Sequence, residues 1–114
     1  MNHIAIFLGG GIGALLRSFI YSGVARLGVT TWTGTFVVNI VGSLLLIGFQ
    51  PFFKELPESY SAFIRVGVLG ALTTFSTLAL DVFHLIKSGS YAQASLVVFL
   101  NIFFGIVVGV ILFK

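Results

Sequence analysis

The sequence predicts an all-α integral membrane protein: four transmembrane helices, the third broken at mid-membrane, paired as an antiparallel, dual-topology dimer. Three observations predict it. The first is composition: 58% of the 114 residues are hydrophobic, 8% are charged, and the mean hydropathy is +1.16. About 20 residues cross a bilayer as a helix, so the chain holds roughly four spans and little else. The second is the stretch Gly67 to Asp81 (GVLGALTTFSTLALD), which sets Thr73, Thr74, Ser76 and Thr77 inside an apolar span. Gly67 and Gly70 loosen a helix there, and non-helical backbone at that depth persists only when packed in protein or lining a polar cavity. The alternative is a tight packing face whose hydroxyls bond back to carbonyls one turn earlier. The third is a near balance of basic residues at the two ends of the spans.

Composition also excludes. A chain filled by four spans has no room for a separate soluble catalytic domain. The absence of cysteine removes disulfides and thiolate metal sites, and two histidines are too few for a convincing metal cluster. The net charge of +3 comes without a run of Lys or Arg, so nucleic acid is not indicated. No nucleophile and base pair is visible, so an enzyme is the poorest fit.

The first helix is expected at about 4–27. Met1 to His3 are too weakly charged for a signal peptide's basic region, so a retained span is expected. Gly9, Gly10, Gly11, Gly13 and Ala14 contain the small-xxx-small spacing that lets two helix backbones approach closely. Gly9, Gly11 and Ala14 also satisfy a loose dinucleotide fingerprint, which fails because no strand precedes it. Arg17 lies within the span, where it either snorkels to an interface or lines an aqueous vestibule. A turn at Gly28 to Thr33 places Trp32 at the headgroup boundary.

The second helix is expected at about 34–53. Thr35, Asn39 and Ser43 recur every four residues and share a face, with Gly42 beside them. Asn39 can be interhelical glue or a donor to a passing anion; both readings stand from this segment. Lys54 to Tyr60, with Pro57, reads as a loop. The third helix, about 62–86, carries Arg65 near its start and Asp81 near its end, where a carboxylate snorkels or stands at a pore mouth. The fourth, about 91–113, carries Gly105 and Gly109 as a second small-residue pair and Asn101 as its strongly polar central residue. Phe99 and Phe103 share a face and read as packing or lipid contact.

Four spans put both termini on one side with the Lys54 loop. Lys54, Arg65 and Lys114 flank that side, and Arg26 and Lys87 flank the other. Three against two is no orientation signal, so the chain is expected to insert both ways up. So few helices scarcely enclose a pathway, and an antiparallel partner supplies the second wall.

Asn39, Asn101, the hydroxyls of Thr73, Thr74, Ser76 and Thr77, and Arg17 form a donor-rich set, which suits an anion losing its hydration. Phe75 fits the same purpose, because the edge of a benzene ring is electropositive. Carbonyls freed by a helix break are of opposite polarity and suit a cation. With these residues in place, the chain resembles the Fluc, or CrcB, family of bacterial fluoride channels. Gly9 to Arg17 (GGGIGALLR) is similar to the family's first-helix motif, Gly34 to Ser43 (GTFVVNIVGS) to its second-helix motif, and Gly70 to Thr77 (GALTTFST) to its third-helix break.

The resemblance implies an antiparallel dimer in the bacterial inner membrane, with two fluoride pores and a structural Na⁺ at the dimer interface. It implies that the backbone carbonyls of Gly70 and Thr73 hold the Na⁺, and that Asn39 lines a pore and Arg17 its vestibule. Phe75 matches the first of two pore phenylalanines, and Asp81 stands where the family usually has Glu. Asn101 matches a polar fourth-helix position, and Thr35, Ser76 and Thr77 join the expected ion pathway. Two positions depart from the pattern: the second pore phenylalanine is Leu78, and a fourth-helix tyrosine is Val97. Each pore of a homodimer then lacks part of its aromatic lining, which points to a paralogous partner subunit as the alternative to a homodimer. Two other readings compete: a four-helix dual-topology multidrug exporter, which needs a first-helix acid that this chain lacks, and a structural membrane subunit.

Overall fold

The computed structural model describes residues 2–114. Helix α1 (His3–Arg26) opens with the Asn2 side chain accepting from the Ala5 amide at 3.1 Å and closes at Leu27, before Gly28 turns the chain with φ +71. That left-handed backbone is where glycine relieves a Cβ clash. Helix α2 (Trp32–Gly48) is shorter than the expected 34–53 span. It stops because Pro51, lacking an N–H, cannot donate to the carbonyl four residues earlier. The chain bends at Phe49 (φ −99, ψ 16) and resumes as the short helix α3 (Gln50–Glu55). Phe53 is thereby turned into the core beside Val38, Leu69 and Leu72.

After Pro57 the chain enters α4, residues 58–72, which begins earlier than the expected 62. Its middle, Ala62–Leu69, is wound as a π-helix, and Gly70–Leu72 returns to α geometry. Helix α5 (Phe75–Lys87) follows the break. Gly89 at φ +80 turns the chain into α6 (Tyr91–Leu112), which has its own π segment at Phe103–Val107.

Helix α1, the broken segment 58–87 and α6 are each long and apolar enough to cross a bilayer, while α2, at 17 residues, lies at the short end. The long dimension of 48 Å exceeds a hydrocarbon core of roughly 30 Å.

Packing follows the glycines. A Cβ at Gly9 would strike the Phe63 carbonyl, and one at Gly13 would strike the Val68 carbonyl, so these two residues seat α1 directly on the backbone of α4. Gly10 and Gly11 face open space, so of the glycine run it is the pair four residues apart that is used. Gly67 lies inside the π-wound segment and also meets Gly9, where a Cβ would lie 2.9 Å from the Gly9 Cα. The helix continues through Gly70, and the interruption falls at Thr73 and Thr74. On the other side of α2, Gly109 of α6 makes room for the Ile47 side chain, which would lie 2.8 Å from a Cβ there. Phe36 and Phe104 meet edge to face at 5.9 Å, and Phe99 stacks on Phe103 at 5.4 Å.

Few side chains are buried, and they concentrate between α2 and the helices around it. Large apolar residues such as Phe7, Leu15, Phe19, Ile102 and Val110 point outward. That inversion is expected where lipid or a partner helix replaces water.

Candidate functional site at the helix break

The chain is extended at Thr73 (φ −82, ψ 155) and Thr74 (φ −152, ψ 118), between two helices that would otherwise be one. An extended pair in the middle of a membrane span needs partners for its backbone, and α2 supplies them. Asn39 Oδ1 accepts from the Thr74 N–H at 2.7 Å, while Asn39 Nδ2 donates to the Thr74 carbonyl at 3.1 Å. Nδ2 donates a second time, to Asn101 Oδ1 on α6 at 3.0 Å, and Asn101 Nδ2 donates to the Val97 carbonyl at 2.9 Å. The orientation of the Asn39 amide is dictated, because a backbone N–H can only donate. Both Nδ2 hydrogens are thus engaged within the subunit. Asn39 braces the break, and Asn101 in turn holds Asn39.

Thr74 completes its own turn. Its Oγ1 accepts from the Thr77 N–H at 3.1 Å and donates to Thr77 Oγ1 at 3.1 Å, so it is the N-cap of α5. The Ser76 hydroxyl lies 3.2 Å from the same Oγ1, which leaves Ser76 as the donor. Thr73 instead bonds back, its Oγ1 donating to the Leu69 carbonyl at 3.1 Å. Of the uses the sequence offered for these hydroxyls, Thr73 takes back-bonding, while Thr74 serves as a cap.

The extended backbone at Thr73 and Thr74 frees the last carbonyls of α4, and these bonds occupy two of the amides that would reclaim them. In a continuous helix the Thr74 amide would bond the Gly70 carbonyl and the Thr77 amide would bond the Thr73 carbonyl. Asn39 and Thr74 Oγ1 take those two amides, so both carbonyls lose their helical donors. Gly70 is exposed and Thr73 half-buried. Hard, neutral carbonyl oxygens suit a hard monovalent cation. Among the described residues no group of three or more His, Cys, Asp or Glu is placed to hold a metal. The residues present therefore fit Na⁺ at the carbonyls and offer no carboxylate cage.

A second polar cluster lies one helical turn from Asn39 along α2. Thr35, fully buried, donates its one hydroxyl hydrogen to Asp81 Oδ2 at 2.6 Å, so Tyr21 must be the donor in its 2.9 Å bond to Thr35 Oγ1. The chain Tyr21–Thr35–Asp81 ties α1, α2 and α5 together and gives the intramembrane carboxyl group of Asp81 a hydrogen-bond partner. Arg17 lies one turn before Tyr21 on α1, half-buried, and takes no part in the hydrogen bonds of either cluster.

Between α2, α5 and α6 runs a groove of about 670 Å³, lined by Asn39, Thr74, Phe75, Leu78, Asn101 and Gly105 among others. It is mostly apolar, with the two amides at its polar end, and it is open along one flank. Phe75 is 81% exposed, its ring standing beside the break and uncovered by this subunit. Leu78, one turn on, is half-buried on the same groove. Val97 is fully buried beneath Asn101. Two functional parts escaped the sequence reading. Tyr21 went unremarked, although a phenol inside an apolar span always needs a partner. The capping role of Thr74 had only the weak signal of a Thr, a favoured N-cap residue, ahead of an apolar run.

A helical bundle with several membrane-spanning segments, a mid-span break and hydrogen-bonding groups gathered at it defines a multi-pass membrane protein of the channel or transporter kind. Comparison with known proteins gives the family: residues 4–112 match the model described as CrcB-like protein, Camphor Resistance (CrcB), and the chain belongs to that family. A relative in Methylobacterium nodulans, named fluoride-specific ion channel FluC, is 38% identical, with 93% of this chain and 88% of the relative covered. One of the same name in Bacteroides fragilis is 40% identical, covering 90% and 86% respectively. One in Methanocaldococcus jannaschii is 35% identical, covering 97% and 96%.

Proposed function

We propose that the protein is a fluoride-selective channel of the bacterial plasma membrane that lets cytoplasmic fluoride leave down its gradient, with no catalytic step. The observation that carries the reading is the one-sided groove: Phe75 stands uncovered next to the Asn39 and Asn101 amides and the hydroxyls at the head of α5. Fluoride is small and strongly hydrated, so a path through hydrocarbon must replace its water with donors and with the positive edges of rings. The Thr77 hydroxyl, which accepts from Thr74 and keeps its own hydrogen, continues the donor set from the break along α5 toward Asp81, which Thr35 holds. The relatives, named as fluoride-specific channels and matched over nearly their whole length, support the ion's identity.

A groove open along one flank conducts nothing until something closes it. The proposal supplies an antiparallel second subunit, consistent with the balanced flanking charges and with the uncovered ring of Phe75. Structural Na⁺ is held at the interface of the pair by the Gly70 and Thr73 carbonyls. When bound, the cation supplies positive charge at the centre of the assembly; Asn39 and Thr74 of this chain hold the backbone that receives it. The partner is a second copy or a paralogous subunit, and Leu78 in place of an aromatic residue favours the paralogue.

Growth of a fluoride-sensitive bacterial strain, lacking its own exporter, tests the function in cells. Expression of this chain, alone or with a paralogous subunit, is expected to restore growth in fluoride and to leave chloride tolerance unchanged. Continued sensitivity with both subunits in the membrane would contradict the proposal.

A further inference from the structure

Helix geometry does not by itself require that the carbonyls at a break stay free. In hydrocarbon each unpaired backbone group costs several kcal/mol, so a released N–H and a released C=O one turn apart are drawn back together. At this break two side chains stand in the way. Asn39 holds the Thr74 N–H at 2.7 Å and Thr74 Oγ1 holds the Thr77 N–H at 3.1 Å, and these are the amides that would recapture Gly70 and Thr73.

We infer that Asn39 and Thr74 are positioning residues for the cation at the break, acting by withholding amides from the two carbonyls that bind it. The inference rests on the Na⁺ site of the proposed function and extends it to residues that do not touch the ion. Three further features support the assignment. The two intercepted amides correspond to Gly70 and Thr73. Asn39 cannot rotate away, because its Nδ2 hydrogens are committed to the Thr74 carbonyl and to Asn101, and Asn101 is itself fixed by the Val97 carbonyl. Gly42, one turn beyond on α2, has no Cβ where the Thr73 methyl lies, so α2 approaches the break closely enough for the Asn39 side chain to span the gap. Asn39 and Asn101 also line the groove, so the cation site and the anion path share one support.

Removing an interceptor has a stated consequence. With valine at position 74, the Thr77 N–H loses its acceptor, and the Thr73 carbonyl is the nearest replacement. The helix then closes over one of the two ligands. Serine at 74 keeps the oxygen and preserves the site.

The test uses the purified full-length protein in detergent, with NaCl replacing N-methylglucamine chloride at constant ionic strength and the thermal unfolding midpoint as readout. The unaltered protein is expected to gain stability as Na⁺ rises. Thr74→Val and Asn39→Ala are expected to need at least about tenfold more Na⁺ for half of that gain, the range for losing a group that orients a ligand. Thr74→Ser is expected to stay within about twofold of the unaltered protein, since its retained oxygen keeps the orienting bond. If Asn39→Ala fails to fold, the Thr74→Val and Thr74→Ser pair decides. An unchanged Na⁺ midpoint in folded Thr74→Val, a loss in Thr74→Ser as large as in Thr74→Val, or no Na⁺ response in the unaltered protein would each overturn the inference. Fluoride efflux recorded on the same samples separates the two readings: a Na⁺ response without fluoride flux contradicts the channel and leaves the positioning role standing.

Discussion

Asn39 grips the Thr74 peptide on both sides, accepting from its N–H at 2.7 Å and donating to its carbonyl at 3.1 Å, across 35 residues of sequence. One amide side chain thus stands in for the strand or helix partner that an extended residue otherwise lacks. Asn39→Ala is expected to destabilise the protein by about 1–3 kcal/mol, the penalty for a buried N–H left without an acceptor. Thermal unfolding in detergent measures it, and a loss below a few tenths of a kcal/mol would show that the clamp bears no stability.

Thr35 is buried between a phenol and a carboxylate, and both depend on its one hydroxyl. Thr35→Val is expected to cost about 1–3 kcal/mol, since it leaves the Tyr21 hydroxyl and the Asp81 carboxyl without their shared partner. Thr35→Val combined with Asp81→Leu is expected to cost less than the sum of the two, with a coupling of about 0.5–3 kcal/mol. Strict additivity in a double-mutant cycle would mean that the 2.6 Å contact contributes nothing.

The glycines of α1 separate cleanly into used and unused. Gly9→Val is expected to destabilise by about 1–3 kcal/mol or more, because rigid backbone at Phe63 and Gly67 blocks the new side chain. Gly10→Ala, with nothing within 4 Å, is expected to be neutral or to stabilise by up to about 1 kcal/mol through helix propensity. Equal effects at the two positions, read by unfolding of each variant, would contradict the packing of α1 on α4.

Leu78 lines the groove without an aromatic edge. An edge contact is worth about 0.5–1.5 kcal/mol, or roughly 2- to 12-fold in rate, so Leu78→Phe is expected to raise fluoride throughput by that factor in vesicles. Unchanged or slower flux from a well-folded dimer would remove the case for a paralogous partner.

Much of the fold was legible because hydrophobic length and small-residue spacing act locally. The apolar runs marked the spans, and the glycine run marked a close helix contact on α1, whose partner α4 only the structure identifies. The break was legible as a region, Gly70 to Thr77, but not to the residue. Gly67 is spent on the approach of α1, and the interruption falls at Thr73 and Thr74, where Asn39 and the Thr74 hydroxyl make extended backbone tolerable. Such a bond pattern joins residues far apart in sequence, and no local spacing announces it. For the same reason the Thr35, Asn39 and Ser43 stripe could be seen as polar while its partners could not. Tyr21 and Asp81 on one side and Thr74 and Asn101 on the other emerge only when α2 is packed. The end of α2 at Gly48 was available in principle from Pro51, whose missing N–H ends the helix ahead of it.

The central claim is a fluoride path completed by pairing across the open groove, and ion efflux from liposomes tests it most directly. Purified protein, alone and with a paralogous subunit, is reconstituted into vesicles loaded with fluoride or chloride, and release is followed with ion-selective electrodes. Rapid release of fluoride with chloride retained, from at least one of the two preparations and abolished by Asn39→Ala, is the predicted result. Release of both anions alike, or of neither from folded dimers of both kinds, would contradict it.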